Sequence, residues 1–295
     1  MKIKHKIGLG VVLFALLIAI ASWYLSKHNV AVLNPAGKIG RDERNLMILC
    51  TALAGGIVFP VFGLLGYFAW KYREDNPRKA KYSPEHDGDK RLETLWWLIP
   101  TVLLIVISVI NWRSSYALDP FQPIDGSKPT LRIQVVAMDW KWLFIYPDQQ
   151  VASVNEAAIP VGEPVDFEIT SDAVMTSFWV PQLGGQMYAM PGMSTHLNLV
   201  ADKTGNFKGS AANISGNGFA DMTFNVKAVS DSGFDNWMGK AEISPTHLGS
   251  SSYTTLAKPG VQKSPTYYSS VDQNLYDTIV MKYMMPTGGN TGIAE

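Results

Sequence analysis

The chain has 295 residues, with 25 basic and 25 acidic side chains, so its formal net charge is zero. A nucleic-acid-binding protein needs an excess of Lys and Arg to replace phosphate counterions, and this class is therefore excluded. Charged residues make up only 17% of the chain, below the ~25% of a typical soluble protein. The single cysteine, Cys50, excludes an intramolecular disulfide and any site that needs two thiolates.

Three runs without a charged residue account for the low charge content. They cover 7–26, 45–70 and 94–112, with lengths of 20, 26 and 19 residues. A helix needs about 20 residues to cross the ~30 Å core of a bilayer, so each run is long enough to span it. Tryptophans at the ends of the last two runs are typical of the membrane interface; these are Trp70, Trp96, Trp97 and Trp112.

The first run, within residues 1–26, has two interpretations. Three lysines precede it, and the sequence Ala19-Ile20-Ala21 offers a small-x-small cleavage site. This arrangement is typical of a secretory signal peptide. The apolar stretch is slightly longer than usual for such a peptide, so a retained first membrane span remains open. The pattern favours cleavage.

Charge in the connecting loop predicts the orientation of residues 27–112, which hold the other two runs. The loop 71–93 carries seven basic side chains, whereas 27–44 carries four and 113–130 carries two. Because basic residues accumulate on the cytoplasmic side, we expect 71–93 in the cytoplasm and the chain after Arg113 outside. The seven are Lys71, Arg73, Arg78, Lys79, Lys81, Lys90 and Arg91.

Residues 113–226 contain the alternation that is typical of β-strands. Aromatic side chains occupy every second position from Trp140 to Tyr146, and Val165, Phe167 and Ile169 alternate with polar residues. Glycine and proline separate these short segments, and the sequence offers no long helical pattern between them. We therefore predict a β-sandwich, with its strands within residues 130–226.

Residues 227–295 form a C-terminal extension with weaker signals. A short helix is predicted from Phe234, and 244–270 is rich in Ser, Thr, Gly and Pro, which predicts a loop. A second helix is expected over 274–284, with four apolar residues facing inward. The tail 286–295 is expected to be disordered. The four inward residues are Leu275, Ile279, Met281 and Met284.

Several motifs in collinear order resemble subunit II of the haem–copper respiratory oxidases. The similarity extends over about residues 30 to 240, which makes it more specific than any single motif. The motifs are Leu92-Glu93-Thr94-Leu95-Trp96 with Pro100, Met138-Asp139-Trp140-Lys141-Trp142, the stretch 171–184 (SDAVMTSFWVPQLG), Tyr188-Ala189-Met190-Pro191-Gly192-Met193, Gly205-Asn206-Phe207-Lys208-Gly209 and Ile214-Ser215-Gly216-Asn217-Gly218-Phe219.

The resemblance implies a membrane helical hairpin followed by a cupredoxin-like β-sandwich. In cytochrome c oxidases this domain holds a two-copper centre, which needs two thiolates, two imidazoles, a thioether and a backbone carbonyl. Here the positions of that pattern are occupied as follows: Thr176 and Phe219 stand for the histidines, Ala211 and Ser215 for the cysteines, Asn213 for the carbonyl donor and Met222 for the methionine. Only the methionine matches a ligand type, so we predict that this chain binds no copper.

The inventory of the external region supports the same prediction. It contains no cysteine, and its only histidines are His196 and His247. A subunit II without the copper ligands resembles that of the quinol oxidases of the cytochrome bo type. The stretch 31–40 (AVLNPAGKIG) also resembles the mature N-terminus of that branch. The branch often has a lipidated cysteine just upstream, and since His28 lies in that neighbourhood, no acyl anchor is predicted.

This resemblance implies a function for the whole complex. The chain would be subunit 2 of a proton-pumping terminal oxidase that oxidises ubiquinol and reduces oxygen to water. Haems and copper would lie in a partner, catalytic subunit I, which assembles with other small membrane subunits in the bacterial inner membrane. The large C-terminal domain would be periplasmic. In this reading the chain contributes membrane packing and no redox centre.

Glu93 is the one candidate for a direct role in proton transfer. From the residues alone, it is an acidic side chain near a helix N-terminus, where the dipole favours negative charge. The resemblance implies instead the acid at the entrance to a proton-uptake route of the catalytic subunit. Two other functions remain as alternatives for the chain: a cytochrome c oxidase subunit, which the missing ligands disfavour, and a membrane-anchored cupredoxin-like assembly or binding protein.

Overall fold

The computed structural model describes residues 30–73, 88–126 and 128–284, together with several positions between 12 and 27. Half of the first uncharged run lies outside the described residues, whereas 19–21, the predicted cleavage site, are described as helical. The centre of the 71–93 loop, His28 and the tail 286–295 also lie outside the described residues.

Two long helices precede the β-domain. Helix α1 runs from Lys38–Lys71 and helix α2 from Lys90–Ala117. Both are long and apolar enough to cross a membrane. The side chain of Asp89 caps α2 by accepting a hydrogen bond from the backbone N–H of Arg91 at 2.9 Å, which satisfies one of the free donors at the helix N-terminus.

The described residues after α2 build two main sheets, a small third sheet and three further α-helices. The six-stranded sheet has the order β12-β3-β2-β1-β5-β8, the five-stranded sheet has the order β4-β10-β9-β6-β7, and β11 pairs with β13. The strands are β1 (Leu131–Met138), β2 (Lys141–Tyr146), β3 (Val151–Val154), β4 (Glu156–Pro160), β5 (Pro164–Ser171), β6 (Thr176–Val180), β7 (Gly184–Ala189), β8 (Thr195–Val200), β9 (Gly205–Ala211), β10 (Thr223–Val229), β11 (His247–Leu248), β12 (Thr266–Tyr268) and β13 (Ser270–Val271), and the helices are α3 (Asp231–Glu242), α4 (Ser250–Leu256) and α5 (Leu275–Met284).

The main core lies between the two large sheets. Phe178 of β6 stacks on Phe224 of β10 with ring centroids 4.8 Å apart, and Trp142 and Phe144 of β2 pack against both. These four side chains are fully buried or nearly so. Aromatic burial of this kind dominates the energetics of a core. The predicted β-sandwich is confirmed.

Trp140 departs from the predicted strand. It lies in the turn between β1 and β2, with a φ of 67°, so the inward alternation begins at Trp142. Positive φ is uncommon for a bulky residue, because the Cβ atom crowds the backbone. Strand β2 itself is buried on both faces. In a simple sandwich, one face of such a strand would be exposed to solvent.

The part of the extension that follows α3, residues 243–284, explains the second buried face. Its side chains cover the outer face of β1, β2 and β3 and form a second apolar core. Strand β12 pairs with β3 and becomes an edge of the large sheet. The predicted loop over 244–270 is therefore wrong: β11, α4 and β12 lie within it. The second core includes Val136, Leu143, Ile145, Tyr253, Tyr268 and Ile279.

Helix α5 confirms part of the prediction for its inward face. Leu275 and Ile279 are buried, together with Tyr276 and Val280. The two predicted inward methionines, 281 and 284, are exposed. The buried stripe follows positions i, i+1, i+4 and i+5, so it is rotated away from the stripe that apolarity alone suggested.

Two buried charges tie the extension and α3 to the sandwich. Lys141 donates to the carbonyl oxygens of Leu256 and Lys258 at 2.8 and 2.9 Å, and burial lowers the pKa of its amine. Glu156, at the start of β4, is likewise buried. A buried charge is tolerated only where such partners replace its hydration shell.

Glu156 accepts three hydrogen bonds from three different elements. Trp237 Nε1 of α3 lies 3.0 Å away, the hydroxyl of Tyr267 of β12 at 2.7 Å and Lys227 Nζ of β10 at 2.8 Å. Burial alone would raise the pKa of this carboxyl, but its three donors hold the pKa below its usual value.

Residues 34–41 form a strap that packs onto the β-domain. The N–H of Ala36 donates to the carbonyl of Gln182 at 2.6 Å, and the N–H of Asp202 donates to the carbonyl of Ala36 at 2.8 Å. Arg41 forms an ion pair with Asp202. Gly37 lies in the middle of these contacts, where a Cβ atom would be 2.4 Å from the Val200 carbonyl oxygen.

We expect Gly37→Ala to lower the free energy of unfolding of the β-domain by about 2 kcal/mol, because the added methyl group would meet rigid backbone. Thermal unfolding of the full-length chain in detergent, followed by near-UV circular dichroism, measures this effect. Gly239→Ala in α3 is the matched control, since nothing lies within 4 Å of its Cβ position and alanine favours a helix. Equal melting temperatures for Gly37→Ala and the unmodified chain would contradict the strap.

We expect Glu156→Gln to cost about 2 kcal/mol of unfolding free energy at pH 7, the typical loss for hydrogen bonds to a charged group. Because the folded pKa is depressed, this contribution is complete above the unfolded pKa of about 4.3 and is lost as the pH falls through the folded pKa. Melting curves of both chains between pH 7 and 3 should therefore converge at the acid end.

Glu163→Gln serves as the control for this pH series. Burial raises the pKa of Glu163, so its ionised form contributes no stability at neutral pH. The substitution should leave the melting temperature at pH 7 unchanged or slightly higher. A pH-independent difference between Glu156→Gln and the unmodified chain would show that the charge of Glu156 is not what holds the three elements.

Candidate functional site

The positions that resemble a two-copper centre lie at one end of the five-stranded sheet. Thr176 begins β6, Ala211 ends β9, and Met222 immediately precedes β10. The N–H of Ala211 donates to the carbonyl of Met222 at 3.2 Å, and the N–H of Ala212 donates to the carbonyl of Ser177 at 3.1 Å. Pairing of the three strands thus brings these positions together. We call this group, with Asn213, Ser215 and Phe219, the degenerate copper site.

Asn213 joins the two loops of the degenerate copper site. Its side-chain oxygen accepts a hydrogen bond from the hydroxyl of Ser177 at 2.8 Å, and its side-chain nitrogen donates to the carbonyl of Met175 at 3.2 Å. These bonds link the β9–β10 connection to the start of β6. The backbone at this end of the sheet is therefore held by an amide side chain.

Trp140 covers the same connection. Its indole N–H donates to the carbonyl of Ser215 at 3.4 Å. A Cβ atom on Gly218 would lie 2.3 Å from the indole ring, and Gly216 has a φ of 110°. Glycine at both positions lets the backbone pass directly beneath the ring. The unusual backbone of Trp140 accompanies this close approach.

The side chains of the degenerate copper site do not fit copper. Ala211 and Phe219 supply no donor atom. Thr176 Oγ1 and Ser215 Oγ are buried and have no hydrogen-bond partner in the described part of the chain, but neutral hydroxyls are poor ligands for the soft ions that thiolates select. Met222 supplies one thioether and is buried. Within the described ranges, no group of three or more His, Cys, Asp and Glu could hold a metal ion.

The two external histidines lie in other sheets. His196 of β8 has its Nδ1 3.0 Å from a carboxylate oxygen of Asp166. His247 of β11 lies between the Ser270 hydroxyl at 2.7 Å and Asp272 at 2.9 Å. The fold therefore brings neither imidazole into the degenerate copper site, and the site has no soft donor besides Met222.

The surface beside the degenerate copper site is apolar. Val174 and Met175 precede β6 and are 59% and 48% exposed, and Ile214 is 83% exposed. Exposed apolar side chains in one region mark a surface that contacts another protein or a lipid. These exposed side chains have the character of a contact surface.

Glu93 lies in the first turn of α2 and is exposed. Its N–H donates to the carbonyl of Asp89 at 2.9 Å. Its carboxylate lies over Gly88, where a Cβ atom would be 2.9 Å from Oε1. The described residues thus place an accessible carboxylate at the N-terminus of an apolar helix. A role in proton uptake stays a prediction.

Three family models match the chain in order. The cytochrome c oxidase subunit II transmembrane domain matches residues 42–113, its periplasmic domain matches 148–229, and the COX aromatic rich motif matches 243–287. These regions cover most of the helical pair, the sandwich from β3 to β10, and the part of the extension that follows α3. The family models thus describe a membrane-anchored chain with a periplasmic β-domain.

Relatives that align along most of the chain show which branch of the oxidases it belongs to. The chain is 45% identical to the cytochrome bo(3) ubiquinol oxidase subunit 2 of Pseudomonas aeruginosa, over 86% of this chain and 77% of the relative. It is 41% identical to the protein of the same name from Pseudomonas putida, over 92% and 86% of the two chains. It is also 41% identical to the ubiquinol oxidase subunit 2 of Acetobacter aceti, over 85% and 82%.

The chain belongs to the ubiquinol oxidase subunit 2 family. The resemblance noted from the motifs is confirmed, including the branch that it indicated. Among solved structures, the periplasmic domain of subunit II of the Bradyrhizobium japonicum cytochrome oxidase is 26% identical, with a TM-score of 0.36 over 39% of this chain and 94% of that one.

The packing of the aromatic-rich region was not predicted from the sequence. Five tyrosines lie within the matched 243–287 segment, and the structure brings several of them against the sandwich. Their density in a stretch otherwise rich in Ser, Thr and Gly was the available signal, because buried aromatics indicate packing and not a loop. They are Tyr253, Tyr267, Tyr268, Tyr276 and Tyr283.

Proposed function

We propose that this chain is subunit 2 of a proton-pumping terminal oxidase that oxidises ubiquinol and reduces oxygen to water in the aerobic respiratory chain. Support comes from the relatives named ubiquinol oxidase subunit 2, which align along most of the chain. The observation that carries the proposal is the degenerate copper site, where four of the six positions, those of the two histidines and the two cysteines, hold no copper ligand of the required type. Electrons from a cytochrome would find no acceptor in this domain.

The chain acts as a supporting subunit without a redox centre. A haem or copper site needs several histidine or cysteine ligands at one place. This chain has five histidines and one cysteine in total, and its two external histidines lie in separate sheets. The chemistry then belongs to a haem-bearing catalytic subunit I. This chain supplies two membrane helices that pack in the assembly and a β-domain with an apolar contact surface. Other small membrane subunits complete the complex.

The complex lies in the bacterial inner membrane in this proposal. The region 27–112 supplies two spans, the loop 71–93 faces the cytoplasm, and the cupredoxin-like domain of 113–226 and the extension of 227–295 are periplasmic. Four of the basic residues that predict this orientation flank the described helix ends: Lys71, Arg73, Lys90 and Arg91. Residues 1–26 are a signal peptide or a further span.

An assembly or binding protein of cupredoxin type is the remaining alternative, and the relatives do not favour it. The purified assembly distinguishes the two. We expect it to contain a haem-bearing polypeptide and to reduce oxygen with ubiquinol as donor, but not with reduced cytochrome c. A redox difference spectrum and oxygen consumption with each donor are the measurements. A solitary, colourless protein would support the alternative.

Copper content tests the same proposal at the level of this chain. The full-length chain, isolated in detergent and exposed to excess cupric ion, should retain no stoichiometric copper after gel filtration, because the side chains of the degenerate copper site offer only neutral oxygen and amide groups and a single thioether. Near-infrared absorption of the two-copper type should be absent. Tightly held, stoichiometric copper would overturn the assignment to a quinol-fed enzyme.

We also propose that Glu93 delivers protons from the cytoplasm to the catalytic subunit. An exposed carboxylate at the mouth of a membrane helix can exchange protons with bulk water and pass them inward. The position of Glu93 over Gly88 in the first turn of α2 supports this role.

We expect Glu93→Ala to lower the oxygen-consumption rate of the assembled oxidase by about 100-fold, the lower end of the range for loss of a positioned proton-transfer group. Glu93→Asp should restore part of the rate. Asp42→Asn is the control, since Asp42 is an exposed carboxylate near the other end of the helical pair. Rates of haem reduction and oxygen consumption that stay unchanged for Glu93→Ala across the pH range would eliminate the role.

A further inference from the structure

The loop 172–175, between β5 and β6, leads directly into the degenerate copper site. It presents two kinds of side chain. Val174 and Met175 point to solvent, whereas the side chain of Asp172 is only 2% exposed. The N–H of Asp172 donates to the carbonyl of Ala137 at 2.8 Å. The loop thus turns a carboxylate inward and an apolar pair outward.

The three side-chain donors described for Asp172 all come from the extension. The hydroxyl of Tyr253, in α4, donates at 2.7 Å, and Lys282 Nζ and the hydroxyl of Tyr283, in α5, donate at 2.6 and 2.8 Å. A carboxylate withdrawn from water needs such donors, because an unpaired buried charge is strongly unfavourable. Without the extension, the loop could not keep Asp172 inward.

The donors remain protonated under physiological conditions. Burial and the hydrogen bond to Asp172 raise the pKa of both the Tyr253 and the Tyr283 hydroxyl. The hydrogen bond to Asp172 likewise raises the pKa of the Lys282 amine. The contact therefore stays a set of three donors on one carboxylate, and hydrogen bonds to a carboxylate are stronger than those between neutral groups.

Other contacts bring the extension to the neighbouring loop at the same end of the sandwich. Gly192, with a φ of 74°, lies against Tyr283, where a Cβ atom would be 3.2 Å from the tyrosine Cβ. The hydroxyls of Ser194 and Tyr276 are 2.8 Å apart. Helix α5 therefore spans two of the loops that surround the start of β6.

We propose that the extension is a latch that fixes the loop 172–175 through Asp172, and so sets how Val174 and Met175 are presented beside the degenerate copper site. In addition, the side-chain nitrogen of Asn213 donates a hydrogen bond to the carbonyl of Met175. The loop is bracketed between an amide of the sandwich and three donors of the extension. Side-chain hydrogen bonds thus order this end of the domain, where the residues present cannot use a metal for the purpose.

Hydrogen exchange of the full-length chain in detergent, read by mass spectrometry, tests the latch with Asp172→Asn. We expect amides of 172–176 and of 275–284 to exchange about tenfold faster or more, because loss of the ion pair raises the open population of both segments together. Amides of β1 should keep their protection and thereby show that the sandwich is folded. Asp277→Asn, an exposed carboxylate on α5, is the matched control and should change neither segment.

A second variant approaches the contact from the donor side and leaves Asp172 in place. Tyr253→Phe combined with Tyr283→Phe removes two of the three donors and should accelerate exchange of 172–176 in the same way. This variant decides the question if Asp172→Asn does not fold. Faster exchange confined to 275–284, with 172–176 unchanged, would overturn the latch, since the extension would then be anchored without holding the loop. Unchanged exchange in both segments would overturn it as well.

Discussion

Stacking of Phe178 on Phe224, within a cluster of buried aromatic rings, is the contact on which the β-domain depends. It joins β6 and β10, the strands whose ends carry Thr176 and Met222. Because this core positions the strand ends without help from a metal, the ligand positions beyond them can change type while the fold persists. A domain of this family can therefore lose its copper donors and keep the architecture around them.

Buried charges then decide how the extension attaches. Lys141, Glu156 and Asp172 lie in or beside the sandwich, and each takes partners from the extension. Apolar burial in the second core supplies much of the affinity, but it is not directional. The charged contacts are directional, and each is costly to leave unpaired. Together they select one placement of the extension, with β12 in register on β3.

The sequence predicted the elements whose signal is local. Uncharged runs located both helices, although α1 and α2 continue into charged turns, since helical hydrogen bonding does not end where apolarity does. Alternation located the sandwich. Strand β12 escaped prediction because three residues carry no usable period and its burial comes from pairing with β3. The prediction that Met281 of α5 faces inward was wrong for a related reason. The buried face of this helix is determined by the surface on which the helix packs, and not by apolarity alone.

Part of the candidate site could likewise be predicted from the sequence, and part could not. That the degenerate copper site lacks thiolates could be predicted from residue content alone, because the external region contains no cysteine. The absence of imidazoles from the site follows from the fold, which places His196 and His247 in other sheets. The bonds that Asn213 and Asp172 make could not be predicted, since each joins segments distant in sequence. What remains at this end of the domain is an ordered loop with an exposed apolar pair. Ordering the loop lowers its conformational entropy, and several buried polar contacts offset that loss here. A contact surface gains from such rigidity, because less freedom is left to lose when a partner binds.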